Sequence, residues 1–98
     1  MLYSLTDKLK FDENPQIEVK GKLLTVKADA RTVLKLMDIV NTKGETEGAL
    51  EAVNLLFSEK DQKAIDSLKL SMGDYVTLVA TAIQLAVGED PDEESGEQ

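Results

Sequence analysis

The chain contains no cysteine, no histidine and no tryptophan, and its only aromatic residues are Tyr3, Phe11, Phe57 and Tyr75. Without cysteine there are no disulfides, no thiolate nucleophile and no Cys-ligated zinc or iron–sulfur centre. Without histidine the commonest general base and the commonest transition-metal ligand are gone. So few aromatics make the core aliphatic, built from the Leu, Val, Ile and Ala within the 42% of residues that are hydrophobic. Long apolar runs are missing too. The opening "MLYSLTDKLK" lacks the continuous apolar region of a signal peptide, and "YVTLVATAIQLAVG" is too short and too polar to span a bilayer. These absences predict a soluble, cytoplasmic protein. Ninety-eight residues without internal repeats predict one domain.

Excess positive charge is also lacking. The net charge is −8, and it is unevenly placed. The final "EDPDEESGEQ" holds six acids (Glu89, Asp90, Asp92, Glu93, Glu94, Glu97) and no base, which leaves 13 acids against 11 bases in the rest. A nearly neutral body with an acidic tail does not present the positive field that nucleic acid requires. Lys20, Lys22, Lys27, Arg31 and Lys35 form a local basic run, which alternating strand positions and a solvated helix face explain.

The stretch "IEVKGKLLTVKADA", residues 17–30, reads as two strands about a tight turn and then a helix start. Gly21 and Lys22 as the central residues of a type II′ turn would pair Lys20 with Leu23, Val19 with Leu24, Glu18 with Thr25 and Ile17 with Val26. Ile17, Val19, Leu24 and Val26 then share one face, and Leu23 alone among the apolar residues falls on the other. The bland role for this hairpin is to close a helical core. Its other role is an open strand edge for a partner or a second copy.

Helical patterns follow. Asp29 is the expected N-cap of a helix over residues 30–41 with Val33, Leu36, Met37 and Val40 inward, and with Leu34 and Ile39 broadening the stripe. "NTKGETEG" reads as a loop, and residues 47–57 as a second helix with Ala49, Leu50, Val53, Leu56 and Phe57 inward. "SEKD" resembles a capping box with Asp61 in the acceptor place, opening a third helix over residues 59–69 that buries Ala64, Ile65 and Leu68. "SMGD" repeats the device before a fourth helix over residues 74–87, which Gly88 ends. That helix carries Tyr75, Val76, Val79, Ala82, Ile83 and Ala86 inward, and Leu78, Leu85 and Val87 extend its apolar arc. Such an arc fits either a central core helix or a shared surface. The fold class is therefore α+β, mainly α: one N-terminal β-hairpin packed on about four short helices. Residues 1–14 form a partly ordered arm, residues 15–88 the domain, and residues 89–98 a disordered tail.

No catalytic constellation emerges. The tail has alternating acids, as a calcium loop does, but its glycine comes one place late and the closing acid is missing. Glu45 with Glu47, and Glu59 with Asp61, sit where acids meet a helix N-terminus favourably, and not in a cleft that would separate their acidities. "NTKGETEG" lacks the glycine spacing and Lys-Ser/Thr ending of a phosphate loop. Ser58 and Ser71 have capping roles and no evident base. The expectation is a protein that is not an enzyme and takes no metal and no cofactor.

The order of arm, hairpin, Leu-rich helix, short helices and acidic tail resembles the small tail assembly chaperones of long-tailed bacteriophages and prophages. Ile17, Val19, Gly21, Lys22, Leu24, Val26, Ala28, Asp29 and residues 33–39 carry the likeness, which extends more loosely to residue 88. The resemblance implies a non-enzymatic role. Such proteins bind the long, largely helical tape-measure protein during tail building, keep it soluble, help recruit tail-tube subunits, and leave before the virion is complete. Many also exist in a longer, frameshifted form. The client would be covered by helix-in-groove contacts through Leu34, Ile39, Leu78 and Leu85, with the acidic tail keeping the complex soluble. Self-association through the strand edge is a further expectation; membrane and nucleic acid are not expected partners. Two other classes stay open: a small acidic adaptor or inhibitor of a single protein, and a structural connector subunit of the virion.

Overall fold

The computed structural model describes residues 1–9 and 13–90. Of the tail expected over residues 89–98, residues 91–98 lie outside the described residues, as do residues 10–12 of the expected arm. After a short 3₁₀ turn (Thr6–Lys8) come β1 (Gln16–Val19), β2 (Lys22–Thr25), α1 (Ala30–Thr42), α2 (Glu45–Leu56), α3 (Glu59–Leu68) and α4 (Met72–Ala86). The protein is an N-terminal antiparallel hairpin followed by four helices, mainly α.

The hairpin forms with a different turn from the one expected. Gln16 pairs with Thr25, Ile17 with Leu24, Glu18 with Leu23 and Val19 with Lys22. The central residues are thus Lys20 and Gly21, and both have positive φ, 51° and 80°. Two left-handed residues in succession are the signature of a type I′ turn, whose twist matches the strands it joins. The Glu18 carboxylate accepts the Gly21 N–H at 2.6 Å and favours the turn one residue earlier. Pro15 accounts for the other end: it has no N–H to give, but its carbonyl accepts from Val26 at 2.8 Å. The pairing shifts by two residues, so the faces are unchanged. Leu24 and Val26 are fully buried, Ile17 and Val19 are half-buried, and Leu23 is exposed as expected.

Two strands alone are marginal, and the helices complete the sheet. The Thr25 N–H, which faces away from β1, donates to Asp61 Oδ2 at 2.9 Å. Lys27 N–H donates to the Leu56 carbonyl at 2.9 Å. The outer edge of β2 is therefore closed by the end of α2 and the first turn of α3. Asp61 does not act as the returning arm of a capping box. Ser58 accepts from Asp61 N–H, and the Asp61 carboxylate turns to the hairpin instead.

Local chemistry sets the helix ends. Asp29, Ser58 and Ser71 each accept from the N–H three residues on. At the end of α4, Gly88 has φ +90° and donates to Leu85, while Glu89 N–H donates to Gln84. Those two bonds make a Schellman motif, which needs a left-handed residue after the cap. The loop expected over "NTKGETEG" contracts to two residues, because α2 begins at Glu45 and takes Gly48 into its second turn.

The core collects Leu24 and Val26 from the hairpin, Leu36, Ala52, Val53, Leu56, Phe57, Ile65, and Leu78, Val79, Ala82 and Ala86 from α4. The hairpin's first job is settled by this packing: it closes the helical core. α2 is the hub, packing on α1, α3 and α4, while β2 rests on α3. Helix α1 touches mainly α2, so only the Leu36 line of its apolar arc is fully buried. Met37 and Val40, expected inside, are exposed, as are Leu50 and Val76. Each lies on a helix face left open among the described residues.

Candidate functional site

Because α1 and α4 both lean on α2, a furrow opens between them above its first turns. Val40 supplies one wall, Val76, Ala80 and Ile83 the other, and Gly48 with Ala49 the floor. Its volume is about 350 Å³. The small floor residues let the helices approach closely. A β-carbon on Gly48 would lie 3.7 Å from Lys43 Cβ and 3.9 Å from Ile39 Cγ2, in ordinary contact with α1. Val76, Ala80 and Ile83 follow i, i+4, i+7 spacing and form one stripe along α4. Val40 is 57% and Val76 52% exposed, so the walls are open apolar surface, the kind that a partner covers.

Charge lies on the rim. Lys43 Nζ reaches Glu47 and Glu51, both at 3.7 Å, and Glu45 stands at the N-terminus of α2. Ion pairs this exposed contribute little stability; here they draw the Lys43 stem along the groove's edge. Three acids against one base leave the rim negative.

The titratable residues lining the groove are Lys43 and Glu45, both at its rim. Among the described residues no group of three or more His, Cys, Asp or Glu could hold a metal. Ser58 and Ser71 are occupied as caps. Tyr75 is held above its ordinary 10.0, first by partial burial and then by Asp66, so its hydroxyl stays protonated. No helix among the described residues is long and apolar enough to cross a membrane.

The four residues expected to face a partner are not brought together. Leu34 is 67% exposed and points away from the core side of α1. Ile39 is half-buried at the α1–α2 contact. Leu78 is 6% exposed and belongs to the core, so the surface role expected for it is corrected: α4 turns this residue inward beside Val79 and Ala82. Leu85 is half-buried. The groove is hidden in the sequence because Val40 and Val76 continue apolar stripes that read as core. The signal available was the set of small residues, Gly48, Ala49 and Ala80, at positions where helices draw near.

No family model matches the chain, and no curated protein or solved structure shows significant similarity to it.

Proposed function

We propose that this protein is a non-enzymatic assembly chaperone of a long-tailed bacteriophage or prophage, acting in the host cytoplasm to cover amphipathic helices of a tape-measure protein. The observation that carries the reading is the open apolar groove between α1, α2 and α4. Its apolar lining suits a helix laid in it, with Val76, Ala80 and Ile83 meeting the client's apolar stripe. A charged rim keeps the covered client in water, and the acidic C-terminal sequence adds repulsion between complexes. Such a protein acts by binding alone. Contacts confined to one short groove release readily, which suits a protein that must yield its client to tail-tube subunits.

The test is co-expression with the tape-measure protein of the same genome, followed by co-purification. The client is expected to be soluble and to elute with this chain, and Val76→Asp or Ala80→Asp is expected to abolish both. Leu23→Asp, on the exposed face of the hairpin, is expected to leave both intact. A client that stays insoluble, or that binds the groove variants as well as the wild type, overturns the assignment.

A further inference from the structure

The arm before the hairpin is a second uncovered apolar surface among the described residues. Leu2 is 94% exposed, and Met1, Tyr3, Leu5 and Leu9 are exposed too. No residue of the 3₁₀ turn in this arm is buried. Exposed apolar side chains in such density need a cover. Leu2, Leu5 and Leu9 follow i, i+3, i+7 spacing, which on a helix gathers them within roughly 60°. Lys8 flanks that stripe, and Asp7 falls on the opposite side.

We propose that this arm binds the α1–α2–α4 groove of a second copy of the chain, and that two copies exchange arms in a closed dimer. Three features match. The stripe from Leu2 to Leu9 spans seven residues, as does the groove wall from Val76 to Ile83, so both run roughly 10 Å at 1.5 Å per residue. The groove is apolar where the arm is apolar. The rim carries Glu45, Glu47 and Glu51 against Lys43 alone, and Lys8, flanking the arm's apolar stripe, carries the opposite charge. Among the described residues of one copy, both surfaces remain exposed. Exchange between two copies is isologous: each groove receives one arm, and no surface is left to propagate a chain. The arm is a short segment that gains its helix only on docking, so it covers the groove in the absence of a client and yields when one arrives. This rests on the groove being a helix-docking surface. It is tested on the purified chain alone, so failure of tape-measure capture leaves it standing.

The absence of cysteine makes the test direct. Thr6→Cys is placed on one copy and Ala80→Cys on another carrying a size tag, and the mixture is oxidised gently. A heterodimer is expected to form at least about tenfold faster than in a control pairing Thr6→Cys with Ser67→Cys on α3, the gain that a held geometry gives over collision. Leu5→Asp is expected to return the rate to the control and to shift the mass in solution from twice 10.7 kDa to that value. Thermal unfolding of dilute Leu5→Asp monomer, compared with dilute wild type, is expected to be unchanged, since Leu5 is exposed and lies outside the core. Rates no faster than the control overturn the proposal. So does a chain bearing both cysteines that closes on itself faster than it joins a neighbour, because the arm then serves its own groove.

Discussion

The two ends of α2 differ as much as any two regions of the molecule. Its C-terminal half holds Ala52, Val53 and Leu56, all buried, and delivers the chain to Phe57 at 1% exposure. The hairpin lies over this end, bonded to the Leu56 carbonyl and to Asp61. Its N-terminal half, from Glu45 to Leu50, has no fully buried residue and forms the floor of the open groove. One helix thus does two jobs in sequence. Its closed end supplies stability, and its open end offers surface without weakening the core. Local stability is expected to be uneven in the same sense.

The largest effect should come from the closed end. Phe57→Ala removes the bulkiest fully buried side chain and should cost about 3–5 kcal/mol, a large share of the whole stability of a domain this small. Urea unfolding measures it. The same assay on Leu24→Ala should give about 2–5 kcal/mol, because the hairpin's buried face belongs to the same core. A small loss for Leu24→Ala with a large one for Phe57→Ala would mean that the hairpin is an ornament on a self-sufficient helical bundle.

Asp61 probes the join between strand and helix. Asp61→Ala strands the Thr25 N–H and should cost about 2 kcal/mol, the range for a hydrogen bond to a charged acceptor. Amide exchange at Thr25 should accelerate more than at Leu24, whose pairing lies within the hairpin. Asp61→Asn retains an acceptor and should recover much of the loss. Equal losses for the two variants would put the charge, and not the acceptor oxygen, in control.

How far this division can be read from sequence depends on which interactions are local. The caps at Asp29, Ser58 and Ser71, the Gly88 terminator and the two-faced hairpin depend on neighbours a few residues away, and all were legible. The register was not: a two-residue turn at Lys20–Gly21 and one at Gly21–Lys22 bury the same four side chains, so period-2 patterning does not separate them. Nor was the role of Asp61, because its partner is 36 residues away. The groove was the least legible part. Val40, Val76 and Leu78 all sit on apolar stripes, and only the placement of α1 and α4 about α2 decides that the first two stay open while Leu78 is covered.

Smaller changes sharpen the comparison. Ser58→Ala and Ser71→Ala each remove one N-cap bond, worth about 1 kcal/mol. Ser58 also holds the turn from which Asp61 reaches Thr25, so its loss should exceed that of Ser71, and denaturant midpoints rank them. A reversed order would show that the start of α4 carries more of the fold than the strand–helix join. At the open end, Val76→Ser should change stability by no more than about 0.5 kcal/mol, as uncovered surface positions do, while weakening whatever the groove binds.

The smallest effect is electrostatic and concerns Asp29. Its carboxylate accepts from Thr32 Oγ1 at 2.7 Å and from Thr32 N–H at 3.2 Å. The side-chain bond first, and the backbone bond second, hold its pKa below the usual 3.8. A depressed folded-state value means that the stabilisation is complete above the unfolded value, near 3.8, and is lost as pH falls through the folded one. Asp29→Asn keeps an N-cap acceptor but has no charge to titrate. The wild type should therefore exceed Asp29→Asn in urea midpoint at neutral pH, and the gap should narrow only below about 3.8. A gap that narrows at higher pH would assign the effect to other carboxylates. The carboxylate is fully exposed, so added salt should shrink the part of the gap due to its attraction to the helix N-terminus, whereas the part due to the Thr32 hydroxyl should survive. Adding Thr32→Val to each background would separate the two: the wild-type gap should fall toward the salt-sensitive remainder, and the mid-helix core beneath Leu36 should be unmoved.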